Sequence, residues 1–296
     1  MSGPRVKILK NGVVNRDVSG LGVDHLNDVD LHDISQVEIV KGPSSLLYAN
    51  GTIGGIINIV DDCISALNYE LPEISVGYET QSVNDGNAEN FNFKNNINGF
   101  NVNFGYKNID FGNYDIPSGA ILHEEEDHDD DDDHHEDEHH DEDMGFLNNS
   151  DYAVEATKFG ISKVGDWGYV GFSVDNLESV YGIPFHGDEH GDEHGDEHGD
   201  EHGDEEEHDE HGEERIFSTT DSESFTIKGS YNINGSLINK IDFNYRDSDY
   251  SLTEAHEEEE HHEEDEHDEE EEHEEHAPTV FMNEAVEYGA TFDISN

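Results

Sequence analysis

The chain has 296 residues, 13 Lys and Arg, 75 Asp and Glu, and a formal net charge of −62. That balance excludes nucleic acid, whose phosphates need clustered bases, and it opposes docking on anionic lipid. One cysteine, Cys63, excludes an internal disulfide framework and a thiolate zinc site.

The charge is concentrated. Three tracts, 123–143, 186–214 and 254–276, hold 47 of the acids, 19 of the 21 histidines and no Lys or Arg. The remaining 223 residues carry only −15 and nearly all the apolar side chains, so they can fold. No stretch approaches the roughly 20 apolar residues of a membrane helix. The start, MSGPRVKILKNG, lacks the apolar region of a signal peptide. Taken alone, this leaves a cytoplasmic protein or a chain without its original start.

Residues 1–60 read as mixed α/β. Val6–Lys10 is a short strand, and Asn11-Gly12 is a hairpin turn signal. Ile34–Val40 is a second strand. The Gly42-Pro43 break leads into SSLLY, one or two helical turns with proline near their start. Clustered glycines then precede the strand IINIV.

From residue 73 the pattern has period two, the mark of half-buried strands. Eight segments show it: 73–80, 89–97, 100–110, 152–163, 167–176, 223–234, 237–248 and 284–293. Phe100, Val102, Phe104 and Tyr106 share one face, against Asn101, Asn103, Gly105 and Lys107. Ile241, Phe243 and Tyr245 oppose Asp242, Asn244 and Arg246. Strands of about ten residues, aromatic on one face and Asn-, Lys- and Asp-rich on the other, fit an outer-membrane barrel with a watery lumen. Trp167 and tyrosines near strand ends suit interfacial girdles and equally barrel packing. Short connections fall near Asn98-Gly99, Gly165 and Gly235, and the long ones contain all three acidic tracts. Short periplasmic turns and long outer loops are the barrel asymmetry, so all three tracts should leave the same, extracellular, rim. An ordinary β-sandwich with low-complexity insertions is the alternative.

The block from Val37 to Val60, VEIVKGPSSLLYANGTIGGIINIV, resembles the second half of the plug of TonB-dependent outer-membrane receptors. Glu38, Gly42, Pro43, Tyr48, Gly54, Gly55 and Asn58 carry the match. Asn50-Gly51 departs from it, because the family usually places its glycine directly after the tyrosine. Upstream, DVSGLGVDHLNDVD (17–30) is similar to the zinc-uptake branch, whose plug has a D-x-S-x-x-x-x-D-H element. That resemblance implies metal ligands at Asp24 and His25, with others from the barrel. It also implies a plug inside a 22-stranded barrel. The expected fold is therefore a mixed α/β plug fragment (1–62) followed by about eight antiparallel transmembrane β-barrel strands (73–296), with long disordered acidic and His-rich loops. Met1 falls inside the family pattern, so the chain reads as partial, with the TonB-contacting segment and the first plug half outside it.

Asp24 and His25 offer a carboxylate and an imidazole, both suited to Zn²⁺, and His32, Asp28 and Asp30 lie nearby. The tracts offer His123, His128, His134, His135, His139 and His140, then His186, His190, His194, His198 and His202 at period four, then His261, His262 and His267. Imidazole and carboxylate without thiolate suit borderline ions such as Zn, Ni and Cu. Many weak sites together raise the local metal concentration.

Gly51–Gly55 lacks the Lys-Ser/Thr of a phosphate loop, and no nucleophile sits in a recognisable elbow. The expectation is a non-enzymatic outer-membrane receptor with no catalytic cofactor. It would import a divalent metal, most readily Zn²⁺, with TonB and outer-membrane lipid as partners. The rivals are a ferric-siderophore or haem receptor with incidental acidic loops, and a non-transporting metal buffer.

Overall fold

The computed structural model describes residues 6–15, 17–18, 34–49, 52, 54–117, 120, 145–184, 215–233, 235, 237–257 and 277–294. Four strands precede the barrel-like part: β1 (Val6–Lys10), β2 (Val13–Val14), β3 (Ile34–Lys41) and β4 (Gly55–Asp61). They form one sheet in the order β2-β1-β4-β3, with β1 and β4 parallel and the other pairs antiparallel. Asn11 and Gly12 turn β1 into β2 with φ of 52° and 82°, the left-handed pair that a two-residue hairpin requires. Leu9, Ala49 and Ile56 form a small core beneath this sheet.

Between β3 and β4 the expected helical turns are a 3₁₀ helix, Gly42–Leu47, with Pro43 in its first turn. Ser45 is fully buried there and donates to the Gly42 carbonyl at 2.7 Å. Among the described residues this part contains no α-helix, so its described architecture is sheet and 3₁₀ turn rather than mixed α/β.

The eight expected strands are present in one antiparallel sheet. They are β5 (Glu73–Gln81), β6 (Gly86–Ile97), β7 (Phe100–Phe111), β10 (Tyr152–Gly165), β11 (Gly168–Gly182), β12 (Arg215–Asn232), β13 (Ile238–Glu257) and β14 (Thr279–Ile294). Two short strands, β8 (Tyr114–Asp115) and β9 (Phe146–Leu147), pair in the connection between β7 and β10. The order is β14-β13-β12-β11-β10-β7-β6-β5, so neighbours in the chain are neighbours in the sheet, and both edges are open.

The register arranges one face as an apolar band. Val102, Ile161, Phe172, Ile227, Tyr245 and Tyr288 lie opposite one another across six strands. The row above holds Phe104, Phe159, Val174 and Phe225, and Asp247 interrupts it on β13. One row higher the face becomes polar from β10 to β13, with Thr157, Asn176, Glu223 and Asp249 in register, while β7 keeps Tyr106 in that row. From Phe225 to Tyr231 the band measures about 20 Å along a strand, close to the apolar belt of about 25 Å on outer-membrane barrels. Phe172 and Phe225 stack at 6.2 Å on this surface. Trp167 and Tyr231 meet at 6.4 Å at its lower edge, where interfacial aromatics belong.

Four strands run well past the expected segments: β11 to Gly182, β12 from Arg215, β13 to Glu257 and β14 from Thr279. Above the band the outward face turns to Thr, Asp and Glu while the inward face mixes Ser and Thr with Tyr, Ile and Leu, so the alternation is lost, but the hydrogen-bond ladder continues. The third tract consequently begins within β13.

Candidate functional site

The other face of the sheet receives the β1–β4 part. Its lower half is polar: Asn92, Asn101, Asn103, Lys158, Ser162, Ser173 and Ser224 are all buried. Residues 62–69, which lead from β4 to β5, run along this wall and are tied to it. Asn103 Nδ2 donates to the Asp62 carbonyl at 3.3 Å, and Ser162 Oγ donates to the Ser65 carbonyl at 2.7 Å. Asn101 Nδ2 donates to the Leu67 carbonyl at 3.0 Å, and Asn101 Oδ1 accepts from the Tyr69 N–H at 3.1 Å. Glycine permits this approach. A Cβ at Gly160 would lie 2.0 Å from the Cys63 carbonyl oxygen, and one at Gly171 would lie 2.6 Å from Ile64.

The β1–β4 sheet meets the wall through charge. Lys10 Nζ, at the end of β1, donates to Asp175 Oδ1 on β11 at 2.8 Å and lies 3.9 Å from Asp61 Oδ2 at the end of β4. Burial opposes the lysine charge, but the carboxylates of Asp175 and Asp61 outweigh it, so its pKa is raised. Burial likewise works against ionised Asp61. Lys10 and Lys158, with hydrogen bonds from Asn11 and the Cys63 N–H, overcome that and lower its pKa. Burial, then the charges of Asp175 and Asp61, pushes the Cys63 thiol far above its ordinary value, so it is an inert thiol rather than a nucleophile. A cavity of about 30 Å³ adjoins this cluster, lined in part by Lys10, Asp61, Asp175, Lys228 and Arg246. It has room for about one water.

The upper half of the wall is apolar and aromatic. Tyr181, Ile183, Ile216, Tyr250 and Leu252 form a buried cluster with Val18, which follows β2, and Tyr152 and Phe281 pack against it. The strand ends above this cluster share one rim. Phe111, Tyr152, Tyr181, Ser218, Glu254 and Thr279 lie in a single register row across six strands. The chain leaves that row into each of the three segments that contain an acidic tract and returns to it afterwards. Arg215, at the start of β12, is paired with Asp151 beside the row.

Asp24 and His25 lie outside the described residues. So do His123, His128, His134, His135, His139, His140, His186, His190, His194, His198, His202, His261, His262 and His267, together with the expected disorder of the tracts. Among the described residues no group of three or more His, Cys, Asp or Glu is placed to hold a metal. Sequence reasoning passed over Lys10, Asp61 and Asp175. The available signal was Asp175 on the polar side of the alternation that places Val170, Phe172 and Val174 outward.

Comparison with known proteins gives the same architecture. Residues 1–56 match the TonB-dependent Receptor Plug Domain. A 65-residue stretch is 38% identical to a hemin receptor of Yersinia enterocolitica, covering 21% of this chain and 9% of that protein. Among solved structures, the FrpB iron transporter of Neisseria meningitidis is similar with a TM-score of 0.55 at 11% identity, over 85% of this chain and 34% of that one. The copper transporter OprC gives 0.57 at 10% identity, over 85% and 31%. The ferric-catecholate import receptor Fiu of E. coli K12 gives 0.53 at 13%, over 84% and 32%. The chain thus spans about a third of the length of the structures it matches. It carries a TonB-dependent receptor plug domain seated against strands of the outer-membrane receptor barrel fold, and its place is the outer membrane.

Proposed function

We propose that this chain belongs to a TonB-dependent importer of a divalent metal, with Zn²⁺ as the ion its chemistry favours. One observation carries the metal: 19 of 21 histidines, interleaved with 47 acids, fall in the three segments that open from one rim of the sheet. Neutral imidazole and carboxylate together suit borderline divalent ions. The loops gather the ion, Asp24 and His25 on the plug receive it, and plug movement driven by TonB admits it. The protein carries the ion across and transforms nothing, and Zn²⁺ is cargo. Zinc-starved cells producing the receptor should take up zinc, and removal of the three tracts should slow uptake most at low zinc. Uptake that is indifferent to the tracts would count against this reading.

A second reading is a haem or ferric-siderophore receptor. It draws on the Yersinia relative, a hemin receptor. Competition of haem or a ferric chelate with zinc in the same uptake assay separates the two.

A further inference from the structure

The plug part and the segment behind it are held to the wall by different means. Residues 62–69 are held by hydrogen bonds to their backbone from Asn101, Asn103 and Ser162, and by the close fit of Cys63 on Gly160. Several hydrogen bonds and a steric interlock must fail together before that segment leaves the wall. The β1–β4 sheet meets the same wall through Lys10 and Asp175. That contact spans a flexible four-carbon stem and adjoins a cavity with room for about one water. Water can replace each half of such an ion pair once the two separate. The two regimes meet at Asp61, whose carboxylate lies 3.9 Å from Lys10 Nζ within the plug while the next residue's carbonyl is already bonded to the wall.

We infer that Lys10–Asp175 is a releasable catch and that residues 62–69 are a fixed anchor, so the plug sheet parts from the wall at the Asp61–Asp62 junction. Force on the plug then opens the catch while the wall keeps its lining from Asp62 to Tyr69. Val18, in the upper apolar cluster, adds a separate contact on the loop beyond β2. This division concerns how the plug is held and does not depend on which ion or chelate is carried.

The two halves have separate readouts. Hydrogen exchange at β1 and β4 reports the catch, and alkylation of the single thiol, buried Cys63, reports the anchor. Both are read on the full chain refolded in detergent micelles. Lys10→Met and Asp175→Asn should each speed exchange in β1 and β4 by about tenfold or more, since either breaks the buried ion pair between sheet and wall. The double variant should be no faster than the faster single, the mark of one shared interaction. Cys63 should stay unreactive in all three. Ser162→Ala should do the converse, raising Cys63 reactivity with β1 exchange unchanged. Exchange in β10 and β11 checks that the sheet itself is intact. Unchanged β1 exchange in both single variants would overturn the catch, as would additive effects in the double. Cys63 released together with β1 in the Lys10 variant, or β1 released together with Cys63 in Ser162→Ala, would overturn the separate anchor.

Discussion

The Gly160 α-carbon faces the carbonyl of Cys63 so closely that a Cβ there would lie 2.0 Å from its oxygen. Neither partner has a flexible end that could yield, because one is sheet backbone and the other is the carbonyl of an anchored segment. Gly160→Ala should lift the Cys63 segment from the wall, and Gly160→Val should do so further. Overpacking of this kind costs about 1–3 kcal/mol. Maleimide labelling of Cys63, slow in the parent chain because the thiol is buried with a raised pKa, should accelerate in the same order.

The outward rows predict where charge is tolerated. Phe172→Arg lies within the apolar band, so it should lower stability in lipid vesicles by about 2–4 kcal/mol. Glu178→Ala lies in the polar zone above the band, exposed on the same strand, and should change stability by less than about 0.5 kcal/mol. Denaturant titration of both variants in one lipid checks the placement of the band.

The Lys10 cluster gives a pH window. Asp61 has a lowered pKa, so its contribution is present above the ordinary 3.8 and is lost as pH falls through the lower folded value. Lys10 has a raised pKa, so its contribution is present below 10.5 and is lost as pH rises through the higher folded value. The charges of Lys158, Asp175 and Arg246 act on the same groups. The stability difference between the parent chain and Lys10→Met should therefore be flat between about pH 5 and 10 and shrink beyond both ends. Plug unfolding followed by hydrogen exchange against denaturant, at a series of pH values, measures it.

Much of this fold is legible in the sequence, for a physical reason. Lipid outside and water inside impose a strict period of two, so Phe100 to Tyr106 and Ile241 to Tyr245 declare their faces without any knowledge of partners. The same logic fails above the band. Thr219, Asp221 and Glu223 face outward into water, no alternation marks them, and the expected strand therefore starts late at 223. The catch could not be read, because Lys10 and Asp175 are 165 residues apart and nothing local marks them as partners. The proposed zinc ligands rest on resemblance and composition, since neither the Asp24-His25 pair nor the spacing of the tract histidines fixes a ligand geometry.

The tracts predict an acid-sensitive capacity for metal. Imidazole must be neutral to bind, and its unperturbed pKa is about 6.5. Neighbouring carboxylates favour its protonated form, so metal and protons compete for the same nitrogens. Bound zinc should fall steeply from about pH 7.5 to 5.5. Removal of 186–214, which carries seven histidines, should lower the number of ions bound at pH 7.5 and leave the fold unchanged. Titration by calorimetry at several pH values reads both effects.

The most direct test of metal import as the function is elemental analysis of the chain refolded in detergent. The chain is dialysed against an equimolar mixture of Zn, Ni, Cu, Mn, Fe and Ca, beside an Asp24→Ala/His25→Ala variant. The account predicts several retained equivalents of zinc, with the tightest one lost in the variant. Retention of calcium alone, or of no metal, would contradict it and turn the search for cargo to siderophores and haem.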